Sequence, residues 1–285
     1  MCYELDILVL ADRAVKSLVP ILDDTPVAML PVAGKAIIDH VVESIATKGF
    51  AKISVCVAPN DTQTAAHLAK RNWANFAISV VRGAPQTTER RTLVLRGDIL
   101  PSPAILSGAL EQIRATGGLK QDLSMDGIWL LPESSRVPRW REMLRFARQE
   151  DVFFPNLEVY HRLALCAARG EFADLQAGGW MSVDGVRMGF RARVETRRPI
   201  GRAVEIGAHA FIDRNVVLGD NVVLGAGAYV ARNCRLENVV VLPNTFVGEG
   251  FEASGAVMGE GWLHGVGANA NTFVFRKHGL GSSAA

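Results

Sequence analysis

Residues 200–252 read IGRAVEIGAHAFIDRNVVLGDNVVLGAGAYVARNCRLENVVVLPNTFVGEGFE, and their six-residue period sets the architecture of the C-terminal part. Ile200-Gly201, Ile206-Gly207, Ile212-Asp213, Leu218-Gly219, Leu224-Gly225, Val230-Ala231 and Leu236-Glu237 share one phase. Each pair opens on an aliphatic residue, and most continue with a small one. Period six is neither helical nor a plain strand alternation. It is the pattern of a parallel β-helix, in which short strands and tight turns wind a triangular coil. The aliphatic residue fills the prism, and the small residue relieves the corner, where a bulky side chain would clash or force an unfavourable φ.

The phase slips by one residue between Leu236 and Val240, after which Val241 and Val247-Gly248 carry the pattern. Three hexads make a coil, so residues 200–252 make roughly three coils. Open coil ends expose apolar surface and strand edges. Trp262-Leu263 and Thr272-Phe273-Val274-Phe275 are therefore expected to cap the coil or to receive a partner subunit. Residues 279–285 are small and polar, and are expected to be disordered.

The chain has 285 residues, enough for two domains. It is 49% hydrophobic and 21% charged with a formal net charge of +2. That balance is ordinary for a globular protein and carries no general nucleic-acid footprint. Arginines cluster at Arg136, Arg139, Arg141, Arg145 and Arg148, and again at Arg187, Arg191, Arg193, Arg197 and Arg198. Each cluster is either a solvated face or a patch for a phosphorylated ligand or acidic partner. Cys2, Cys56, Cys166 and Cys234 lack metal spacing and fit a reducing compartment. The first residues carry Glu4 and Asp6 where a signal peptide carries basic residues, and no apolar run reaches membrane-span length. The expectation is a cytoplasmic protein with no membrane span.

The N-terminal part alternates strands and helices. Apolar runs at residues 7–11, 53–58, 78–81 and 92–95 read as buried strands. Helical spacing marks 37–46, 62–72 and 103–116, and later elements are expected as strands at 129–132 and 153–157 and a helix at 160–169. The pattern implies an α/β domain over 1–185 with a Rossmann-like, mostly parallel sheet, followed by the coil domain over 186–278. In such sheets a ligand lies beyond the carboxyl ends of the strands. That rim holds the loop after Ala11 and the Gly97-Asp98 turn.

Residues 7–11, the run Leu30-Pro31-Val32-Ala33-Gly34-Lys35-Ala36-Ile37-Ile38-Asp39-His40-Val41, and the strand ending in Gly97-Asp98 resemble the sugar-phosphate nucleotidyltransferases. The segment at 236–248 is similar to the tail of mannose-1-phosphate guanylyltransferase-like members. The resemblance implies a nucleotidyltransferase-type domain and a C-terminal left-handed β-helix serving assembly or regulation. It implies a nucleotide or nucleotide-sugar ligand near Ala11, Arg13, Lys35 and Gly97. Asp98 is implied as a catalytic residue holding Mg2+, with Lys35 as a second catalytic candidate.

The departures bear on chemistry. The expected glycine-rich phosphate loop reads Asp12-Arg13-Ala14-Val15-Lys16-Ser17, without a glycine. Backbone N–H groups cradle phosphate only where the chain can approach closely, often at positive φ. The family's second lysine falls at Val27, which cannot neutralise a phosphate. Nucleotidyl transfer depends mainly on positioning and electrostatic stabilisation. The expectation is a nucleotidyltransferase-like protein of nucleotide-sugar or exopolysaccharide metabolism with impaired catalysis, acting as a ligand-binding, regulatory or assembly subunit. An active sugar-1-phosphate nucleotidyltransferase with a rebuilt site is the alternative. A hexapeptide acyltransferase using His209 or His264 as base, or a homo-oligomeric scaffold, are further ones.

Overall fold

The computed structural model describes residues 5–12, 26–46, 52–71, 73, 76–83, 85–99, 103–119, 123, 127–137, 157–171, 181–183, 186–267 and 271–274. The chain is mixed α/β and divides into two compact units, Met1–Leu30 with Lys35–Asn156, and Pro31–Gly34 with Leu157–Ala285. The residues at 157–183, read from the sequence with the first domain, group with the second unit. Of the strand expected at 153–157, residues 153–156 lie outside the described residues and Leu157 opens a helix instead, and the tail at 279–285 lies outside them as well.

In the first unit the chain forms β1 (Asp6–Ala11), a 3-10 turn (Val27–Met29), β2 (Pro31–Val32, whose residues belong to the second unit), β3 (Lys35–Ala36), α1 (Ile37–Ala46), β4 (Lys52–Val57), α2 (Thr62–Lys70), β5 (Ala77–Arg82), β6 (Thr92–Arg96), α3 (Pro103–Thr116) and β7 (Ile128–Leu131). The central sheet runs β5-β4-β1-β6-β7, parallel except for antiparallel β7. β1 is buried from Ile7 to Ala11 and β6 throughout, as a central parallel strand covered on both faces requires. α1 buries Ile37, Ile38, Val41, Val42 and Ile45, the i, i+3, i+4 stripe legible in the sequence. α2 is capped at its start by Asp61, whose carboxylate accepts the Thr64 N–H.

The second unit contains α4 (Leu157–Ala168) and then short strands: β8 (Met181–Val183), β9 (Val186–Met188), β10 (Arg193–Val194), β11 (Val204–Ile206), β12 (Phe211–Ile212), β13 (Val217–Leu218), β14 (Val222–Leu224), β15 (Tyr229–Val230), β16 (Arg235–Val241), β17 (Phe246–Val247), β18 (Glu252–Gly259), β19 (Trp262–Gly265) and β20 (Thr272–Val274). They stack in parallel ladders. β9, β11, β14, β16 and β18 follow one another in one ladder, and β10, β12, β15 and β17 in a second. β13 pairs with β16, and Ile200 bridges to Leu218. The ladders therefore begin at Val186, one turn before the repeat is plain in the sequence.

Ile206, Ile212, Leu218, Leu224, Val230, Leu236, Val241 and Val247 all enter one buried core, so the phase read from the sequence is the inward-facing one. The ladder partners also place the slip. Val204 faces Val222, eighteen residues on, while Val222 faces Val239, seventeen on. The longest ladder is closed at both ends by antiparallel strands, β8 on β9 and β19–β20 on β18. β19 and β20, which hold Trp262-Leu263 and Thr272-Phe273, pair along that edge and leave fewer unpaired strand groups.

Of the two reasons expected for a small residue at the corner, a clash and an unfavourable φ, the repeat glycines answer to the clash. Gly201, Gly207 and Gly225 do not carry positive φ. A Cβ at Gly207 would stand 2.5 Å from Ala226 N, and one at Gly225 would stand 2.4 Å from Pro243 N. These glycines let successive turns of the chain approach. Positive φ falls two residues later, at Ala203, His209, Asn215, Asn221, Gly227, Asn233, Asn238, Asn244, Gly250 and Gly255. Asparagine and glycine dominate that column because they tolerate the left-handed region best.

Candidate functional site

β1 and β6 lie side by side, Leu10 opposite Arg96, so their carboxyl ends bring Asp12 and Gly97-Asp98 to one rim. Gly97 N–H donates to Leu10 O at 2.8 Å and holds the turn against β1. A Cβ on Gly97 would lie 2.9 Å from Val9 Cγ1 and 3.1 Å from both Ala11 Cβ and Ile38 Cδ1. Gly97 therefore has a packing reason for being glycine. Ala11 is buried in β1.

Asp98 is buried, and both of its oxygens are taken by one side chain. Arg96 Nε donates to Oδ1 at 2.9 Å and Arg96 NH2 to Oδ2 at 3.0 Å, with both side chains 5% exposed. The two residues are two positions apart, hence on the same side of an extended chain. Arg96 N–H also donates to Gly127 O, and a Cβ on Gly127 would crowd Ile99 and the Arg96 stem. Gly127, at φ +75°, leaves that stem its path. Beside the pair, the buried Oδ1 of Asp12 has no hydrogen-bond partner among the described residues. Burial raises the Asp12 carboxyl above its usual range, and the Asp98 charge adds to the rise. Burial, then Asp12, pushes the Cys56 thiol on β4 up to about 12. Cys56, Cys166 and Cys234 are all free thiols.

Lys35 is engaged elsewhere in the same unit. Its Nζ donates to Glu43 Oε2 at 2.8 Å. The other Glu43 oxygen accepts from Arg71, which also lies 2.6 Å from Asp39 Oδ2, and Asp39 Oδ1 is 2.7 Å from His67 Nε2. Asp39 and Glu43 stand one turn apart on α1, and His67 and Arg71 on and just beyond α2, so the network ties the two helices together. Arg71 also covers the Trp73 ring at 4.5 Å.

Arg13 lies outside the described residues, as do Arg139, Arg141, Arg145 and Arg148. Arg187 is no open patch residue: it lies 2.6 Å from Glu205 Oε1 and donates to the carbonyls of Ala167 and Ala168 at the end of α4. That Glu205 contact is a charge contact without an aligned hydrogen bond. Burial raises the Glu205 carboxyl, and Arg187 opposes the rise. Arg191, Arg193, Arg197 and Arg198 are exposed.

His209 occupies an exposed turn at φ +59°, edge-on to Phe190 with ring centroids 5.8 Å apart. Its place in the positive-φ column accounts for its residue type without a chemical role. His264 stands in β19 opposite Val257, and burial lowers its imidazole pKa.

The resemblance implies magnesium at Asp98. Its carboxylate meets a guanidinium instead, and no group of three His, Cys, Asp or Glu side chains suited to a metal occurs among the described residues. Arg96 and Glu43 escaped the sequence reading, and Asp12 entered it only as the first residue of the loop without glycines. The available signal was a charged residue closing the apolar strand Leu93-Val94-Leu95-Arg96, two positions before an aspartate. No helix among the described residues is long and apolar enough to cross a membrane. No protein-family model and no curated protein matches the chain.

Proposed function

We propose that the chain is a nucleotidyltransferase-like protein of nucleotide-sugar or exopolysaccharide metabolism that has lost efficient turnover. It acts as a cytoplasmic ligand-binding, regulatory or assembly subunit. The first unit is the nucleotidyltransferase-type domain, and the stacked ladders of the second are a left-handed parallel β-helix through which copies or partners assemble.

One observation carries the loss of turnover. The two charges the resemblance assigns to ligand and metal, Lys35 and Asp98, are held by the internal partners Glu43 and Arg96. A buried bidentate pair is rigid, and separating it strands a desolvated charge. Charges committed in this way cannot stabilise a transferring phosphoryl group, which needs free cations aimed at it. The missing glycines after Ala11 point the same way.

The deciding assay is pyrophosphate release from a panel of nucleoside triphosphates with sugar 1-phosphates. No release is expected. Release that disappears in Asp98→Asn would show an active enzyme and defeat the proposal. A thermal-shift screen with nucleotides and nucleotide sugars then separates the ligand-binding role from assembly alone. A ligand at one hundred times its dissociation constant stabilises by about 2.7 kcal/mol.

A further inference from the structure

We propose that the Arg96 guanidinium is the resident cation of the first unit's rim, so that the native rim takes no divalent metal and removing that guanidinium creates a divalent-cation site on Asp98 and Asp12. The inference rests on the nucleotidyltransferase-like reading of that unit, since the resemblance is what implies a magnesium ion at Asp98.

Three features support it. First, each Asp98 oxygen already accepts from Arg96, at 2.9 Å and 3.0 Å, in a fork-on-fork arrangement. A hard divalent cation needs oxygen ligands at short range and in number, and it cannot enter beside a guanidinium held against the same carboxylate. Second, the pair is built into the local backbone. Arg96 is the last residue of β6, Asp98 follows two residues later, and Gly127 leaves a path for the arginine stem. No distant segment has to move for the cation to be in place. Third, the rim holds a second carboxylate. Asp12 Oδ1 is buried without a hydrogen bond among the described residues, and Asp12 feels the Asp98 charge. With the guanidinium gone, the buried Asp98 carboxylate loses its counter-charge while it still faces the charge of the half-buried Asp12. Like charges in such surroundings either take up a proton or recruit a cation.

Arg96→Met removes the charge and keeps most of the stem, so the space over Gly127 stays filled. The probe is Mn2+ alone, titrated by calorimetry and followed by thermal melting, without nucleotide. Wild-type protein is expected to show no binding heat and no shift of its melting temperature. Arg96→Met is expected to bind Mn2+ with a dissociation constant of roughly 10⁻⁴–10⁻³ M, the weak end of carboxylate sites, and to melt higher as Mn2+ is added. The double variant Arg96→Met with Asp98→Asn is expected to lose both responses.

Wild-type binding of Mn2+ that disappears in Asp98→Asn would overturn the proposal, because Asp98 would then already be a metal ligand. A folded Arg96→Met chain that ignores Mn2+ would overturn it as well. Should Arg96→Met not fold by itself, refolding with Mn2+ decides: recovery of a cooperative melt supports the site, and no recovery counts against it. Metal titration uses no substrate, so its failure is separable from a positive pyrophosphate assay, which would instead defeat the loss of turnover.

Discussion

His161 Nε2 lies 2.7 Å from the carbonyl oxygen of Asn238, at the point where the ladders lose one residue of their period. Asn238 has φ +51°, and its side-chain oxygen accepts from Asn221 on the preceding turn. α4 packs against β14, β16 and β18 of the longest ladder. One helix therefore fastens to the ladder through a buried imidazole at its irregular position. A carbonyl only accepts, so the His161 ring nitrogen facing it carries the proton.

A pH dependence follows. Burial lowers the His161 pKa below 6.5, against a smaller rise from the Asn238 bond. The unfolded chain therefore binds a proton that the folded chain resists. His161 contributes stability that is complete above about pH 6.5 and is lost as pH falls through its lowered folded value. Each proton changes the slope by at most about 1.4 kcal/mol per pH unit. Glu205, raised by burial, works in the opposite direction, its contribution falling as pH rises above its ordinary value. The clean measurement is the difference in unfolding free energy between wild type and His161→Gln across pH 5 to 8. The difference is expected to shrink towards acid. A difference flat with pH would show that His161 does not titrate in this manner.

The glycines of the repeat make a sharper test. A Cβ at Gly207 would stand 2.5 Å from the Gly225 carbonyl carbon and the Ala226 nitrogen, backbone atoms that cannot rotate away. A Cβ at Gly248, at the same place in the last rung of its ladder, meets nothing within 4 Å. Gly207→Ala is expected to destabilise by about 1–3 kcal/mol or more, as overpacked sites do. Gly248→Ala is expected to be neutral or stabilising by up to about 1 kcal/mol. Equal effects in chemical denaturation would refute the close-approach account.

Ladder and sheet were legible because burial leaves a periodic trace. Ile206, Ile212, Leu218 and Leu224 enter the core at hexad spacing, and Ile38, Val41 and Ile45 are buried at helical spacing. What stayed hidden was pairwise and long-range. Nothing in the sequence joins His161 to Asn238 or Arg71 to Asp39, because such contacts depend on where helices dock. Arg96–Asp98 was local enough to find, yet an arginine in a strand reads first as an exposed edge. The sequence left two reasons open for the repeat glycine, because a collision with the next rung and a positive φ both select glycine; only the backbone contacts choose the collision.

The positive-φ column suggests a stabilising substitution. Ala203, Asn221, Asn238 and Gly255 are ladder equivalents, each one residue before the successive partners Val204, Val222, Val239 and Ala256 of the longest ladder, and Ala203 holds φ +55°. An alanine in the left-handed region costs about 1–2 kcal/mol. Asparagine tolerates it better, and Asn221 already bonds Asn238 at 2.9 Å across one rung. Ala203→Asn is expected to raise stability by about 0.5–1 kcal/mol, within the range of compatible backbone substitutions. A loss of stability would mean that Ala203 is held by packing rather than tolerated at its φ.

The Lys35–Glu43–Arg71–Asp39–His67 network separates a structural lysine from a ligand lysine. Lys35 and Glu43 side chains are 14% and 25% exposed, and Glu43 keeps Arg71 when Lys35 is removed. Lys35→Met is therefore expected to cost no more than about 1 kcal/mol. Asp39 is 4% exposed, hydrogen-bonded to His67 and ion-paired with Arg71 at 2.6 Å, so Asp39→Ala leaves both without their buried anion. Its expected cost is about 1–3 kcal/mol, moderated because His67 and Arg71 reach solvent. The same variants report on function. Where a nucleotide or nucleotide sugar raises the melting temperature, Lys35→Met is expected to leave that rise unchanged, since its ammonium is committed to Glu43. A Lys35→Met chain of native stability that no longer responds to the ligand would make Lys35 a binding residue and return the rim to a working nucleotide site.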